Sequence, residues 1–291
     1  MYKIIHKQVI AQDIKKIDIS APLIASRALP GQFVMVTPVL GVPNIPMTII
    51  DSDERRSVIS LLVHEVGSTT RKLGELSIGE SLYQMVGPLG RGSQLDKYGV
   101  VICVATGIGV AQILPICRGL KKKGNKVIGI IGAKSKKVLM LEAQMRVVCD
   151  EIFITTNDGS YERRGLATEL LRELLNKYSV QRVYAIGSVE MMQATSQMTK
   201  ERNIPLRVTV NPYMVNGLGL CGSCRVMVGG QVRLACVDGP EFDGHTMDYQ
   251  VLSQRMNELE SRIWENQTHL DPLKKTGFVG LMKSFWGSTK N

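Results

Sequence analysis

An apolar run, a glycine turn and a helical pattern follow one another near the middle of the chain, in Val101-Ile102-Cys103-Val104-Ala105-Thr106-Gly107-Ile108-Gly109-Val110-Ala111. The unbroken apolar residues indicate a β-strand that is buried on both faces. Gly107 and Gly109 would let the backbone approach a pyrophosphate at the start of the next helix. That helix is predicted over Ile113–Lys123, with Pro115 near its first turn. An ordinary turn between a strand and a helix is the alternative interpretation.

Strands and helices continue to alternate after this stretch. The predicted strands are Asn125–Ala133, Glu151–Thr156, Gln181–Ile186 and Pro205–Val210, and the predicted helices are Lys137–Val148, Gly165–Tyr178 and Val189–Lys200. This alternation predicts a doubly wound α/β domain with a parallel sheet. Ligands bind beyond the carboxyl ends of such strands, where Thr106, Asp158 and Gly187 fall.

Short strands with glycine and proline between them precede this domain, from residue 1 to about 95. They are predicted at Lys3–Ile10, Ile14–Ile19, Gln32–Thr37, Met47–Asp51 and Ser57–Val63. Their spacing predicts a small antiparallel β-barrel. Within it, Gly67-Ser68-Thr69-Thr70 precedes a predicted helix at Arg71–Leu76, and free N–H groups with hydroxyls suit an anion. Helix capping by Ser68 or Thr69 is the alternative.

A cysteine cluster follows the α/β pattern. Cys221 and Cys224 are separated by two residues, and Cys236 comes after a short hairpin pattern rich in glycine. This arrangement suits thiolate ligation of an iron–sulfur cluster. Zinc, and a disulfide or buried free thiols, are the alternatives. The other cysteines, Cys103, Cys117 and Cys149, lie in apolar patterns and are predicted to be core residues.

Composition sets limits on the class of protein. The 291 residues are 44% apolar and 21% charged, which is ordinary for a globular chain. The start lacks the pattern of a signal peptide and no apolar run reaches ~20 residues, so a soluble cytoplasmic protein without a membrane span is predicted. The net charge of +10 is scattered, and aromatic residues make up 5%. Without a nucleic-acid motif, this charge suits phosphate-bearing cofactors or an acidic partner better than nucleic acid.

The C-terminal residues form a separate pattern. A helix is predicted over Tyr249–Thr268, and Lys274–Asn291 is basic with interspersed aromatic and aliphatic residues. A loose tail, a docking segment for a partner subunit and a membrane-surface helix are the three interpretations of this end.

The order of barrel, nucleotide-binding pattern and cysteine cluster resembles the ferredoxin–NADP reductase superfamily. Within it, the chain is similar to the small subunits of NADH-dependent reduced ferredoxin:NADP oxidoreductase, also called sulfide dehydrogenase beta subunits, and more distantly to electron-transfer subunits of dihydroorotate dehydrogenase. The resemblance covers most of residues 1–256 and rests on these stretches: Val86–Gly90, Ala105–Ala111, Asp158–Tyr161, Asn211–Gly217, and Cys221–Arg225 with Cys236–His245.

The resemblance implies a division of the chain into four parts. Residues 1–95 would be an FAD-binding barrel, 96–210 an NAD(P)-binding domain, 211–246 a [2Fe–2S] module, and 247–291 a C-terminal helix and basic tail. It also implies a larger flavin and iron–sulfur partner subunit, similar to the glutamate synthase small subunit, with ferredoxin as a further partner.

The resemblance also implies individual roles. Pro46, Met47 and Thr48 would line the isoalloxazine, and Thr48 would reach the flavin N5 region as the catalytic candidate. Gly67, Ser68, Thr69 and Thr70 would hold the flavin pyrophosphate, and Thr106, Gly107, Gly109, Asp158 and Gly187 would bind NAD(P)H. The cluster ligands would be Cys221, Cys224, Cys236 and, in fourth place, Asn216.

Two residues depart from the family pattern. Asn44 occupies the place of an arginine that can pair bidentately with flavin phosphate, so FAD binding is expected to be weaker, rearranged or lost. Asn216 occupies the place of an aspartate ligand. An amide ligand would leave one negative charge fewer at the cluster and raise its reduction potential. Asp238 or a backbone group is the alternative ligand.

Two functions therefore compete, and a free-standing reductase is disfavoured because an exposed cluster needs a partner that accepts single electrons. The first is an electron-transfer flavoprotein subunit that exchanges electrons between NAD(P)H and a partner enzyme, including electron bifurcation with ferredoxin. The second is a relay or structural subunit that has lost flavin and nicotinamide chemistry. Lys134, Lys136 and Lys137 favour NADPH over NADH by charge, with a solvated basic turn as the alternative.

Overall fold

The computed structural model describes residues 2–11 and 13–258. The predicted helix beyond residue 258 and the basic end at 274–291 lie outside this range. Within the described residues, no helix has the length and apolar character needed to cross a membrane.

An antiparallel sheet of seven strands curls into a nearly closed barrel, as the sequence predicts. Its order is β6-β1-β2-β5-β4-β3-β7. The strands are β1 (Tyr2–Ala11), β2 (Ile14–Ser20), β3 (Phe33–Thr37), β4 (Ile45–Asp53), β5 (Val58–His64), β6 (Ser81–Leu82) and β7 (Gln84–Leu89). The helices in this part are α1 (Pro22–Ala25) and α2 (Ser68–Glu75).

The two faces of β4 and β5 have different neighbours. Ile49 and Leu61, which pair across the two strands, pack inside the barrel. Ile50 and Leu62 point to the other face and join the core beneath the α/β domain. Because side chains alternate along a strand, Ile50 and Leu62 lie on the face opposite to Ile49 and Leu61, and this outer face meets the α/β domain.

The second sheet also has seven strands, in the order β11-β10-β9-β8-β12-β13-β16. Its strands are β8 (Val100–Thr106), β9 (Lys126–Ala133), β10 (Glu151–Thr156), β11 (Arg163–Arg164), β12 (Arg182–Ile186), β13 (Leu206–Thr209) and β16 (Glu241–Asp243). All pairings are parallel except β13 with β16. The predicted doubly wound sheet is confirmed. The sequence did not predict β16, the antiparallel edge strand that follows the cysteines.

Helices cover this sheet, and the C-terminal part of the chain adds a hairpin and two more helices. The elements are α3 (Gly109–Lys122), α4 (Glu142–Val148), α5 (Ala167–Lys177), α6 (Val189–Lys200), β14 (Arg225–Val228), β15 (Gln231–Leu234) and α7 (Ala235–Asp238). Residues 249–258 are also helical and form α8. The cysteine loop, residues 211–224, leads from β13 to the β14–β15 hairpin.

Two helix predictions need correction. The helix predicted over Lys137–Val148 is interrupted: a 3₁₀ turn covers Lys136–Val138, and α4 begins only at Glu142. Leu141 between them has a left-handed φ of 57°, which a continuous helix cannot contain. Helix α3 begins at Gly109 rather than Ile113, so Pro115 lies inside the helix and not near its first turn.

Helix α3 starts unusually close to β12. A Cβ at Gly109 would lie 2.5 Å from the carbonyl oxygen of Ile186, closer than van der Waals contact allows. Glycine is therefore required for the packing of the helix on the strand.

Replacing Gly109 with alanine is expected to lower the free energy of unfolding by about 1–3 kcal/mol, because the added carbon meets backbone that cannot rotate away. Urea unfolding of the cofactor-free chain measures this. Gly119→Ala in the same helix is the control: its Cβ meets the end of the Leu95 side chain, and alanine adds about 1 kcal/mol of helix propensity. Equal losses of unfolding free energy in Gly109→Ala and Gly119→Ala would contradict the requirement for glycine at position 109.

Candidate functional site

A cavity of about 340 Å³ lies between the barrel and the α/β domain. The barrel contributes β4 and the segment from the end of β5 into α2. The α/β domain contributes the first turns of α3 and the end of β13, and the first residues of the cysteine loop, 211–214, close the cavity. Three parts of the sequence that are far apart thus share one space.

Strand β4 forms one wall of the cavity. Asn44, Pro46 and Thr48 line it together with Met47, which also packs in the barrel core. Thr48 is half-buried, so its hydroxyl stands at the boundary between the wall and the open space. Asn44 Oδ1 lies 3.4 Å from Thr37 Oγ1, so its amide is held by a single long contact on the barrel side.

The start of α2 forms a second wall, through Gly67, Ser68, Thr69 and Thr70. Capping by Ser68 or Thr69, the alternative left by the sequence, is wrong, because Gly67 is the N-cap. Thr70 Oγ1 accepts hydrogen bonds from the backbone N–H of Gly67 at 3.0 Å and of Val66 at 3.1 Å. The hydroxyls of Ser68 and Thr69 make no hydrogen bond within the described residues.

Sequence reasoning missed several residues that line the cavity: His64, Gln112, Asn211 and Tyr213. His64 ends β5, and burial lowers the pKa of its imidazole, with the Asp13 carboxylate opposing the shift. Asn211 and Tyr213 follow the last parallel strand. The Asn-Pro dipeptide at 211–212 marks a turn at the carboxyl edge of the sheet, and that signal could have placed them.

The carboxyl ends of β8 and β12 form a separate crevice. Thr106 and Gly107 end β8, and Gly187 follows β12 and packs against the Thr106 hydroxyl. The sheet order reverses between these two strands, because β9 and β10 lie on one side and β13 on the other. Such a switch point is the usual ligand site of a doubly wound sheet. Ile108, one residue further, lines the barrel cavity, so crevice and cavity adjoin.

Asp158 lies further out, in the turn after β10. Its carboxylate accepts hydrogen bonds from the Ser160 backbone N–H at 3.0 Å and from the Ser160 hydroxyl at 2.6 Å. Ser160 in turn accepts a hydrogen bond from the Lys136 backbone, and the Lys136 ammonium lies 4.9 Å from the Tyr161 ring centre. Asp158 therefore organises an exposed turn, and strands β9 and β8 lie between it and Gly187.

Two of the three clustered cysteines form a buried pair. Cys224 and Cys236 are 1% and 2% exposed, and their sulfurs are 3.2 Å apart. Cys221 is exposed, and its sulfur lies 3.1 Å from the Ser223 hydroxyl. All six cysteines are free thiols. Among the others, Cys103 and Cys117 are fully buried, as predicted, and Cys149 is half-buried against the same core.

The surroundings of Cys221 and Cys236 shift their thiol pKa values in opposite directions. Hydrogen bonding by Ser223 and by nearby backbone N–H groups lowers the pKa of Cys221 to about 7. Burial, followed by the Cys224 contact, raises the pKa of Cys236 to about 11. A thiolate ligand is thus readily formed at the surface by Cys221, whereas the buried Cys236 thiol would give up its proton only to a metal centre.

Asn216 lies in the loop that leads to Cys221. Its side-chain oxygen accepts a hydrogen bond from the Leu218 backbone at 2.9 Å. Within residues 2–11 and 13–258, no three His, Cys, Asp or Glu side chains converge on a single ion site. The spacing of Asn216, Cys221, Cys224 and Cys236 instead follows the x₄, x₂ and distal pattern of plant-type two-iron centres, whose ligands are spread over two metals.

The cysteine loop is folded closely against the barrel. Gly217 has a φ of 72°, and a side chain there would collide with Met35 of β3. The Arg91 backbone N–H donates to the Gly239 carbonyl at 2.6 Å. Phe33 and Met35 share one apolar core with Cys224 and Cys236. The donor set and the close wrapping of the loop therefore fit an iron–sulfur group between barrel and hairpin.

Comparison with known proteins agrees with this arrangement. The iron–sulfur cluster binding domain of dihydroorotate dehydrogenase B matches residues 211–248. A dihydroorotate dehydrogenase B (NAD⁺) electron transfer subunit homolog of Thermotoga maritima is 35% identical over 254 residues, 87% of this chain and 90% of the relative. An uncharacterised protein from the adh 3′ region of Clostridium beijerinckii is 38% identical over 264 residues, 88% and 89% of the two chains.

Solved structures show the same fold. A chain of the NADH-dependent reduced ferredoxin–NADP oxidoreductase, studied for flavin-based electron bifurcation, superposes with a TM-score of 0.85 at 32% identity, covering 93% of this chain and 98% of that one. Phthalate dioxygenase reductase shares the fold, with a TM-score of 0.57 at 18% identity over 78% and 85% of the chains.

Barrel, α/β sheet and cysteine loop thus define an oxidoreductase of the ferredoxin reductase-like, electron-transfer class. The chain belongs to the family of dihydroorotate dehydrogenase B electron transfer subunits and carries that family's iron–sulfur binding domain.

Cys221 is expected to be the clustered cysteine that iodoacetamide alkylates first in protein prepared without iron, with a rate that rises through a midpoint near pH 7. Cys224 and Cys236 should stay unmodified in the folded chain because they are buried. Peptide mass spectrometry across a pH series measures both.

Ser223→Ala should move the Cys221 midpoint to higher pH, because it removes the largest cause of the lowered pKa. Ser179→Ala, in the loop before β12, is the matched control. A midpoint that does not respond to Ser223→Ala would show that the hydroxyl does not stabilise the thiolate.

Proposed function

We propose that this chain is an electron-transferring flavoprotein subunit that binds FAD, NAD(P)H and a [2Fe–2S] cluster and exchanges electrons with a larger flavin and iron–sulfur subunit. The observation that carries the proposal is the cavity shared by barrel and α/β domain, which adjoins the sheet crevice on one side and the cysteine loop on the other. A cofactor in that cavity would be next to both other sites.

The cavity residues suit a flavin. Pro46 and Met47 offer an apolar wall for a planar ring, and the Thr48 hydroxyl stands at its edge. Ser68 and Thr69, with the N–H groups at the start of α2, offer donors to a pyrophosphate. Residues 211–214 cover the cavity on the α/β side and would limit the access of water.

The crevice at the end of β8 suits the pyridine nucleotide. Gly107 has a φ of 56°, so the backbone turns sharply between strand and helix, and its own N–H donates to the Gly132 carbonyl at 3.2 Å. The N–H groups at the start of α3, which follows this turn, would be the donors to a phosphate. Thr106 and Gly187 border the same opening, and Asp158 with the Lys136 turn stands where the distal end of a dinucleotide would lie. The basic residues near that turn favour a phosphate there.

The residues of this chain orient and shield the electron path. When bound, FAD would supply the exchange between two-electron hydride chemistry and single electrons, which the cluster carries onward. The adjoining walls would hold the nicotinamide and the flavin in contact, so orientation contributes more than acid–base catalysis. The relatives are electron transfer subunits, which supports a larger partner subunit as the exchange partner and ferredoxin-linked bifurcation as its use.

A relay subunit without flavin is the second candidate, and Asn44 is the observation that favours it. The residue lines the cavity where the family pattern has an arginine, and its neutral amide cannot form a bidentate ion pair with phosphate.

Cofactor content separates the two candidates. One FAD and two irons per chain are expected after anaerobic purification together with the partner subunit, as measured by acid extraction and metal analysis. Addition of NADH or NADPH should bleach the flavin absorbance. Two irons without flavin would establish the relay subunit, and neither cofactor would refute both proposals.

Cys236→Ala tests the cluster ligands in the same preparation. Iron is expected to be lost, because the buried pair would retain one thiol. Cys103→Ala is the matched control, since Cys103 is equally buried but lies in β8. Full iron content in Cys236→Ala would refute the assignment of this ligand.

Asn216→Asp is expected to lower the reduction potential of the cluster, because a carboxylate adds negative charge where an electron must enter. Asn203→Asp adds the same charge in the exposed turn before β13, at the end of that strand away from the cysteine loop, and should leave the potential unchanged. Redox titration followed by electron paramagnetic resonance measures both. Equal potentials in all three proteins would place Asn216 outside the ligand set.

A further inference from the structure

The cavity contains one titratable side chain close to the proposed pyrophosphate cradle. His64 ends β5 and lies on the same strand face as Leu62, and both residues line the cavity. The lining continues through Gly67 and Ser68, only three and four residues further along the chain. The imidazole makes no hydrogen bond to another described residue, so its nitrogens are available to a ligand.

Asn44 and His64 belong to the same wall. Asn44 precedes β4, whose paired register with β5 ends at Ile49 and Leu61. His64 lies three residues beyond that last pair, where the two strands no longer pair, and it lines the same cavity as Pro46 and Asn44. A cationic side chain at position 64 would therefore enter the cavity from β5, the strand beside the one that follows Asn44.

We infer that His64 supplies the cationic contact to the FAD pyrophosphate that Asn44 cannot supply. This inference rests on the proposed function, because it assigns a residue to the flavin of that site. The protonated imidazole would donate to a phosphate oxygen, while Ser68 and Thr69 donate from the start of α2. His64 would thus be a phosphate-binding residue and would take no part in the redox chemistry.

The charged groups around His64 do not occupy its imidazole, so His64 can contact a phosphate. Before β2, Asp13 is the carboxylate that acts on the imidazole. Lys15 of β2 and Glu65 neutralise each other at 2.6 Å. Farther along the wall, Asp51 of β4 pairs with Arg118 of α3 at 2.7 Å.

The remaining elements bring no ion pair to the imidazole. Arg71 and Lys72 of α2 are exposed, and α3 presents the neutral Gln112 to the cavity. Among the described residues, no arginine or lysine lines the cavity. His64 is therefore the one side chain among the described lining residues that can become positively charged.

The direction in which FAD affinity changes with pH follows from the pKa of His64 in the absence of FAD. Burial lowers the pKa of His64 below its usual value of 6.5, so the ring is mostly neutral at pH 7 without ligand. A pyrophosphate stabilises the protonated ring and raises its pKa, so FAD binding takes up a proton between the two values. FAD affinity should be highest in acid, fall as the pH rises through this window, and level off above it.

The experiment measures dissociation constants of FAD and of riboflavin by flavin fluorescence, on the full chain, from about pH 5.5 to 8.5. Riboflavin lacks phosphate, and the FAD diphosphate does not titrate in this range. For wild type we expect FAD affinity to fall by about tenfold to hundredfold across the series, the equivalent of one charge-assisted hydrogen bond. Riboflavin affinity should stay constant.

Three variants locate the effect. His64→Gln should bind FAD weakly at every pH and bind riboflavin as wild type does. Adding Asn44→Arg to His64→Gln should restore FAD affinity without the pH dependence, because an arginine stays charged. His6→Gln is the matched control: His6 of β1 pairs with Asp18 of β2, does not line the cavity, and should behave as wild type.

The outcomes distinguish this inference from the proposed function. A wild-type chain that binds no FAD at any pH would refute the flavoprotein assignment itself. FAD binding that is independent of pH in wild type would overturn only the role of His64, and this test needs no substitution. Equal weakening of riboflavin and FAD in His64→Gln would also overturn it, because the lost contact would then be to the ring.

Discussion

Apolar packing between the barrel, the α/β sheet and the cysteine loop holds three separate parts around one space. Ile50 and Leu62 of the barrel share a core with Ile113 and Ile116 of α3. On the other side, Phe33 and Met35 share a core with the buried cysteines. Because interiors pack at nearly crystalline density, these contacts fix the distances among the cavity, the crevice and the loop.

Helix α3 contacts the sheet, the barrel and the cavity, and so it fixes their relative positions. Its first turn touches β12 at Gly109, its middle packs on β4, and Ile108 and Gln112 open into the cavity. One rigid element thus borders the crevice and forms part of the cavity wall. Binding sites built on such elements keep their geometry better than sites carried by loops alone.

Local patterns in the sequence predicted most of the fold. The buried strand at 101–105, the glycine turn and the β10 and α6 segments follow from periodicity that any parallel sheet requires. The break at Leu141 depends on a single left-handed residue, and the pairing of β16 with β13 depends on a chain reversal around the cysteines. Neither the break nor the pairing produces a periodic pattern in the sequence, so neither could be predicted from it.

The residues of the site could be predicted less completely than the fold. Gly107 could be selected from sequence because its left-handed backbone conformation favours glycine, and Ser68 because hydroxyl residues cluster where a helix begins. His64 could not, because its position in the cavity depends on how β5 lies against a domain that begins some forty residues later. Tertiary packing, and not local pattern, assigns such a residue to a site.

The unequal burial of the three clustered thiols gives the cysteine loop two distinct ends. The Cys224–Cys236 end is sealed in the core that reaches the barrel, and the Cys221 end meets the solvent beside the exposed Leu220. A metal group held between them would be insulated on its inner side and accessible on its outer side. Within the described residues, a group held there would meet solvent at the Cys221 end, so a protein that exchanged electrons with it would have to cover Cys221 and Leu220.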